Sequence, residues 1–279
     1  MKKSLVALTA VLTMGICCSS ALASDIDASL KVGYNLAKSS SKMVPVSGNE
    51  SVISEDFTAT GGDGLSITAA INADIQKGFG IKGSVTGDYM NKAFKTDTTT
   101  SKGVEPKPNL VESFKKWTLS GDALVTYNLV NNVPGLKAGV QGGVNFVSTN
   151  VADALIEDGD FVSLADYYTE NGKASGGALV VGAFVDYKIN DKLSVSADGY
   201  IGLLKFGSLI NPLSNYKVNA ELSYEVMNNL NIVGGFTFAN NVLSTEIKNT
   251  TVGGTTIHQT NVEYTYTQLT PSIGVSYNF

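Results

Sequence analysis

The sequence predicts an all-β fold: an antiparallel up-and-down transmembrane β-barrel of about ten strands, with short turns on one rim and long loops on the other. Three observations carry this. Apolar and polar residues alternate strictly in ten segments, the connections between segments alternate between short and long, and aromatic residues stand at both ends of the apolar faces.

Residues 1–23 read as a secretory signal, with Lys2 and Lys3 as its basic start, Leu5 to Ile16 as the apolar stretch and Ala21-Leu22-Ala23 as the small-residue site after which cleavage is expected. The apolar run is shorter than the ~20 residues a spanning helix needs. Residues 24–279 are then a single barrel domain. Cys17 and Cys18 are the only cysteines, and both belong to the signal. No disulfide, thiolate metal site or cysteine nucleophile is expected beyond it. Ile16 and Cys17 stand where lipoprotein signals usually carry glycine or alanine, so lipid attachment is not expected either.

All 20 basic residues are lysine, and without Lys2 and Lys3 the remaining 18 face 25 acidic residues. An acidic balance argues against nucleic acid as a partner, and the lack of arginine removes bidentate phosphate forks. No apolar run near ~20 residues follows the signal, so any membrane insertion requires a closed sheet.

Alternation begins with Ile26, Ala28, Leu30, Val32, Tyr34 and Leu36 on one face, and with Asp27, Ser29, Lys31, Gly33 and Asn35 on the other. It continues through Leu65 to Ile75, Phe79 to Met90, Trp117 to Leu129, Leu136 to Thr149, Gly177 to Ile189, Leu193 to Phe206, Tyr216 to Val226, Leu230 to Ala239 and Tyr264 to Phe279. Most of these run about 10 to 14 residues, beyond the ~5 to 6 of soluble strands and near what a tilted bilayer strand requires.

Lys77-Gly78, Asn131 to Gly135, Asn190-Asp191-Lys192 and Asn228-Asn229 mark tight hairpins. The connections Ala37 to Gly64, Asn91 to Lys116, Asn150 to Gly176, Gly207 to Asn215 and Asn240 to Glu263 are the long loops. Phe79 and Tyr89 end one apolar face, and Trp117 and Tyr127 end the next. At ~3.3 Å per residue and a tilt near 40°, that separation climbs roughly 25 Å, the height of a lipid-facing band. Phe146, Tyr216 and Phe238 extend the belt on the long-loop side; Tyr187, Tyr224, Tyr277 and Phe279 extend the other.

The sequence stops on Phe279, preceded on the same face by Tyr277, Val275, Ile273 and Leu269. This resembles the C-terminal assembly signal of bacterial outer-membrane β-barrel proteins, the superfamily that includes the outer-membrane protein A and W types and the ten-stranded adhesin-like barrels. The resemblance covers the whole chain after the signal, and no subfamily motif is matched. It implies residence in the outer membrane, with lipid and the barrel-assembly machinery as partners. Pro271 departs from it, since proline cannot donate to a strand ladder; a bend beside the seam with the first strand is expected. A soluble β-sandwich also alternates, but explains neither the strand length nor the aromatic ends.

With apolar faces on lipid, the opposite faces carry Lys31, Lys82, Lys137, Lys188 and Lys217 into the lumen, together with Asp74, Asp88, Asp122, Asp186, Asp198, Glu221 and Glu225. These form either a structural network of ion pairs or the lining of a narrow solute path biased toward cations. Ten strands sit just above the ~8 whose interior side chains fill, so only a small pore is credible. A second role, adhesion or contact with an extracellular ligand, would use the polar long loops while the lumen stays closed.

The connection from Asn150 to Gly176 is acidic, with Asp153, Glu157, Asp158, Asp160, Asp166 and Glu170 opposed by Lys173. It lacks the calcium-loop order of ligands, so a solvated loop, a short helix through Val151 to Ile156 or an inward fold over the lumen is expected rather than a metal site. Catalysis is not expected. His258, the single histidine, stands in a polar stretch of the last long loop, with no spacing that pairs it with a carboxylate or serine. No cofactor is implied.

Overall fold

The structure, a computed structural model, describes residues 25–45, 55–90, 95–100, 116–130, 132–150, 173–207, 209, 211–247, 250–252, 255–257 and 260–279. The signal segment, the acidic residues Asp153 to Glu170 and His258 lie outside the described residues.

The barrel strands are β1 (Asp25–Pro45), β2 (Glu55–Asp74), β3 (Phe79–Met90), β5 (Lys116–Asn128), β6 (Leu136–Asn150), β7 (Lys173–Lys188), β8 (Leu193–Gly207), β9 (Tyr216–Met227), β10 (Leu230–Ile247) and β13 (Thr260–Asn278). Each is antiparallel to its neighbours, in the order β1-β13-β10-β9-β8-β7-β6-β5-β3-β2, and the β1–β2 pairing closes the ring. Closure satisfies every strand edge, as hydrocarbon demands. The short β4 (Lys95–Thr100) pairs with the start of β2 at Glu55–Thr60, and β11 (Thr250–Val252) pairs with β12 (Thr255–Ile257).

The turns follow from their residues. Lys77 and Gly78 both have positive φ (56° and 82°), and the Phe79 amide donates to the Gln76 carbonyl, a type I′ turn whose twist matches its flanking strands. Val133-Pro134-Gly135-Leu136 is a type II turn: proline fixes the second position, glycine at φ 76° takes the third, and the Leu136 amide closes it on the Val133 carbonyl. The Asn190 side chain accepts from the amides of Lys192 and Leu193, both at 2.9 Å. Asn229, at φ 66°, precedes a register shift between Leu230 and Asn231.

Several strands outrun their apolar alternation on the long-loop side. Segments expected as loops contain paired backbone: β1 runs to Pro45 against β2 from Glu55, β10 runs to Ile247 against β13 from Thr260, and β7 begins at Lys173. These extensions are rich in Ser, Thr and Lys on both faces. A segment whose sequence lacks strict apolar–polar alternation is not revealed by periodicity, while its backbone still pairs. At the short-turn side, Ile75, Leu129 and Ile189 fall just outside the strands.

Side-chain placement inverts that of a soluble protein. Leu30, Val32, Leu65, Ile67, Val140, Leu222, Ile232 and Val275 point outward and are exposed, whereas Lys31, Asn35, Ser66, Asp88, Thr118, Gln141 and Asn145 are buried inside. So continuous an outward apolar belt is the surface that a membrane β-barrel presents to lipid.

Pro271 interrupts the seam. Pairing of β1 with β13 runs from Asp27↔Asn278 to Gly33↔Ser272 and resumes at Leu36↔Leu269, skipping Tyr34 and Asn35. On the β10 side, Phe236↔Pro271 stays in register. The Asn35 amide fills the gap with side-chain bonds, donating to the Tyr266 hydroxyl at 3.1 Å and accepting from the Thr270 hydroxyl at 3.4 Å.

Candidate functional site: the charged lumen

The inward positions of the strands converge on a lumen divided by a waist. From the short-turn rim a cavity of about 700 Å³ leads inward past Asp27, Lys82, Asp186, Asp198, Glu221 and Glu225. Beside the waist lies a second, small pocket of about 30 Å³, lined by Ser66, Thr118, Asn145, Asn215, Asn241 and Tyr266 among others.

The waist is a hydrogen-bonded cluster. Lys217 on β9 reaches across to Asp122 on β5 at 2.6 Å, and its ammonium lies 3.3 Å from the Ser84 hydroxyl. Ser84 on β3 donates to the same carboxylate at 2.5 Å, and the Tyr200 hydroxyl on β8 donates to its other oxygen. Three donors therefore hold one carboxylate away from bulk water, which is how a buried charge is tolerated. Lys31 on β1 pairs with Glu221 on β9 just below.

The other lumen charges, Asp88 at the long-loop end of β3 excepted, lie toward the short-turn rim. Lys82 sits 3.9 Å from Asp186 and 4.7 Å from the centre of the Phe184 ring, close enough for a cation–π contact. Lys137 and Asp74 pair where both side chains are about half exposed. Asp198 accepts from the Asn219 amide at 3.2 Å, and Glu225 caps the Asn229 backbone amide at 3.3 Å. Asp88 is buried on the inward face of β3, and Lys188 lies exposed at the cavity mouth.

The outward aromatics meet in pairs. The rings of Phe79 and Tyr127 are 4.8 Å apart, Tyr89 stands opposite Trp117, the Tyr216 and Phe238 rings are 5.9 Å apart, and Tyr277 packs edge-on against Phe279 at 4.8 Å. Phe146, Tyr187 and Tyr224 are exposed on the same outer surface, as are Ile273 and Val275.

Sequence reasoning missed a feature beside the waist. Leu124, Val147, Ala178, Val180, Tyr200, Leu209 and Leu243 form a buried apolar cluster inside an otherwise polar lumen. Leu209 comes from the connection between β8 and β9, which folds inward and forms a single β-bridge with Leu243 of β10. Its return ends in a 3-10 turn, Pro212–Ser214, where the Asn211 side chain accepts from the Leu213 amide at 3.0 Å. A reciprocal amide pair anchors it: Asn145 donates to Asn215 at 3.1 Å and Asn215 donates back at 2.5 Å. The signal was present as broken alternation, since Ala123-Leu124-Val125, Phe146-Val147 and Leu179-Val180-Val181 place apolar residues on both faces of three adjacent strands. Asp27, also facing the cavity, was left out of the expected lumen set.

No family model and no curated protein sequence matches the chain. Among solved structures, it resembles the outer membrane protease OmpT from Escherichia coli, with 15% identity, coverage of 92% of this chain and 97% of that one, and a TM-score of 0.55. It also matches the outer membrane protein OprG from Pseudomonas aeruginosa (13% identity, 92% and 97% coverage, TM-score 0.46) and the translocator domain of the autotransporter NalP from Neisseria meningitidis (13% identity, 99% and 98% coverage, TM-score 0.35). The fold is that of the outer-membrane β-barrels.

Proposed function

We propose that the protein is a small porin-like barrel of the bacterial outer membrane that gives narrow passive permeability to small solutes, with a preference for cations. The supporting observation is the charge-lined cavity of about 700 Å³ that enters from the short-turn rim and stops at side chains, those of Lys31, Asp122, Tyr200 and Lys217, rather than at backbone. An obstruction made of side chains opens by rotamer changes that leave the backbone wall intact, so it sets a small and intermittent opening rather than a permanent wall. In the expected lumen set, seven carboxylates against five lysines favour cations. On this reading the chain is not an enzyme. Purified protein in planar bilayers tests it: small discrete conductance steps are expected, and their absence at every salt concentration and pH removes the channel reading.

A second reading, a surface-interaction barrel with a closed lumen, draws on the inward-folded segment at Leu209 and on the paired extensions of β1–β2 and β10–β13 past the apolar belt. Deleting residues 151–172, between β6 and β7, would then leave the barrel folded and abolish binding to cells or matrix, and unchanged attachment counts against it.

A further inference from the structure

We infer that the small polar pocket beside the waist is a station for a monovalent cation that has shed its water, and that it makes the barrel favour monovalent over divalent cations. This rests on the permeability reading and names the class of solute together with the site that selects it.

The pocket shares Lys31, Thr68, Thr86, Asp122, Lys217 and Thr237 with the larger cavity, so an ion that passes these side chains goes from one space to the other. Its volume of about 30 Å³ is close to the share of a single water in the liquid. A hydrated ion brings several waters and does not fit. An ion that enters exchanges its shell for protein oxygens.

Those oxygens are there, and they are buried. Ser66 on β2, Thr118 on β5, Asn241 on β10 and Tyr266, Gln268 and Thr270 on β13 all line the pocket. Asn241 is decisive: it is 7% exposed, and its side-chain oxygen has no hydrogen-bond partner. A buried acceptor left without a partner is costly, and a cation beside it removes that cost. The Thr270 hydroxyl gives its hydrogen to the Asn35 side-chain oxygen at 3.4 Å, so what it has left to offer is lone pairs.

Charge decides which cation. The two lysines at the edge of the pocket are each matched, Lys217 by Asp122 and Lys31 by Glu221, so they do not repel an ion as lone charges would. Asp122 is the one carboxylate among the described lining residues, and its oxygens already hold Lys217, Ser84 and Tyr200. Calcium takes carboxylate ligands, and magnesium gives up its water reluctantly. Neutral oxygens in number suffice for a monovalent ion and hold it loosely enough to release it, as conduction requires.

Planar bilayers with potassium chloride on one side and calcium chloride on the other test this. Wild type, Asn241→Leu and Asn241→Asp are compared, each in protein whose gel migration shifts on boiling. Three results are expected: wild-type permeability to potassium at least about tenfold that to calcium, potassium conductance at least about threefold lower in Asn241→Leu, and block of the potassium current by calcium in Asn241→Asp alone. Equal permeability to the two ions in wild type, wild-type conductance in Asn241→Leu, or a current in Asn241→Asp that calcium leaves unblocked overturns the cation site, makes the pocket a place for water only, and leaves the permeability reading standing. Silence in all three proteins overturns the permeability reading and the cation site with it.

Discussion

The Lys217 ammonium crosses the lumen from β9 to reach Asp122 on β5 at 2.6 Å, and both side chains are largely shielded, at 15% and 8% exposure. The pair ties opposite walls of the barrel, which backbone pairing alone does not do. Removing one partner leaves a shielded charge uncompensated. Asp122→Ala is expected to cost about 3–5 kcal/mol, and Asp122→Leu combined with Lys217→Met much less. Urea unfolding from detergent micelles measures both. Equal losses in the single and double variants would show that the pair is not a unit.

Lys137 and Asp74 offer the contrast. Their ion pair stands at the open rim with side chains 53% and 41% exposed. Water and salt screen it there, so Lys137→Ala is expected to change stability by less than about 1 kcal/mol in the same assay.

These charges also separate what the sequence made legible from what it hid. The inward face of every lumen lysine and carboxylate follows from period-2 alternation, because one register slip would expose the whole apolar set. Which charges meet does not follow. Lys217 and Asp122 are separated by three intervening strands in one direction round the wall and five in the other, and only barrel closure sets them face to face. The polar extensions of β1 and β2 lacked an apolar face to announce them. The burial of Leu209 lay hidden because a connection that folds inward borrows its apolar partners from strands that look merely irregular in the sequence.

Close strand approach is a further dependence. A Cβ at Gly143 on β6 would sit 2.0 Å from the Ala123 carbonyl oxygen, which is backbone and cannot turn aside. Gly143→Ala is expected to cost about 1–3 kcal/mol by forcing the β5–β6 ladder apart. A lowered urea midpoint checks this, and an unchanged one would mean that the sheet absorbs the methyl.

The seam at Pro271 is a place to gain stability. The Pro271 carbonyl faces β1, where its oxygen would lie 2.8 Å from a Cβ on Gly33, and in an antiparallel strand the nitrogen of that residue faces the same neighbour. Pro271→Ala supplies the missing donor on that side. A gain of about 0.5–1.5 kcal/mol is expected if the bond forms. Hydrogen exchange at the Tyr34 and Asn35 amides, slower in the variant than in the wild type, reports it locally.

On the permeability reading, ion selectivity follows the lumen charge. The paired substitution Glu221→Lys and Glu225→Lys turns the seven carboxylates and five lysines of the expected lumen set into five and seven. The reversal potential under a salt gradient is expected to move from cation-selective toward anion-selective. A reversal potential unmoved by both changes would place the conducting path elsewhere.

The outward apolar face is what makes this chain a membrane barrel, and Trp117 reports on it directly. It is the only tryptophan, it sits on the outer surface opposite Tyr89, and it is 37% exposed. In vesicles of brominated phospholipid its fluorescence is expected to be strongly quenched, most by bromine placed near the headgroup end of the chains, with little effect from aqueous iodide. Quenching by iodide and indifference to brominated lipid would contradict the lipid-facing barrel.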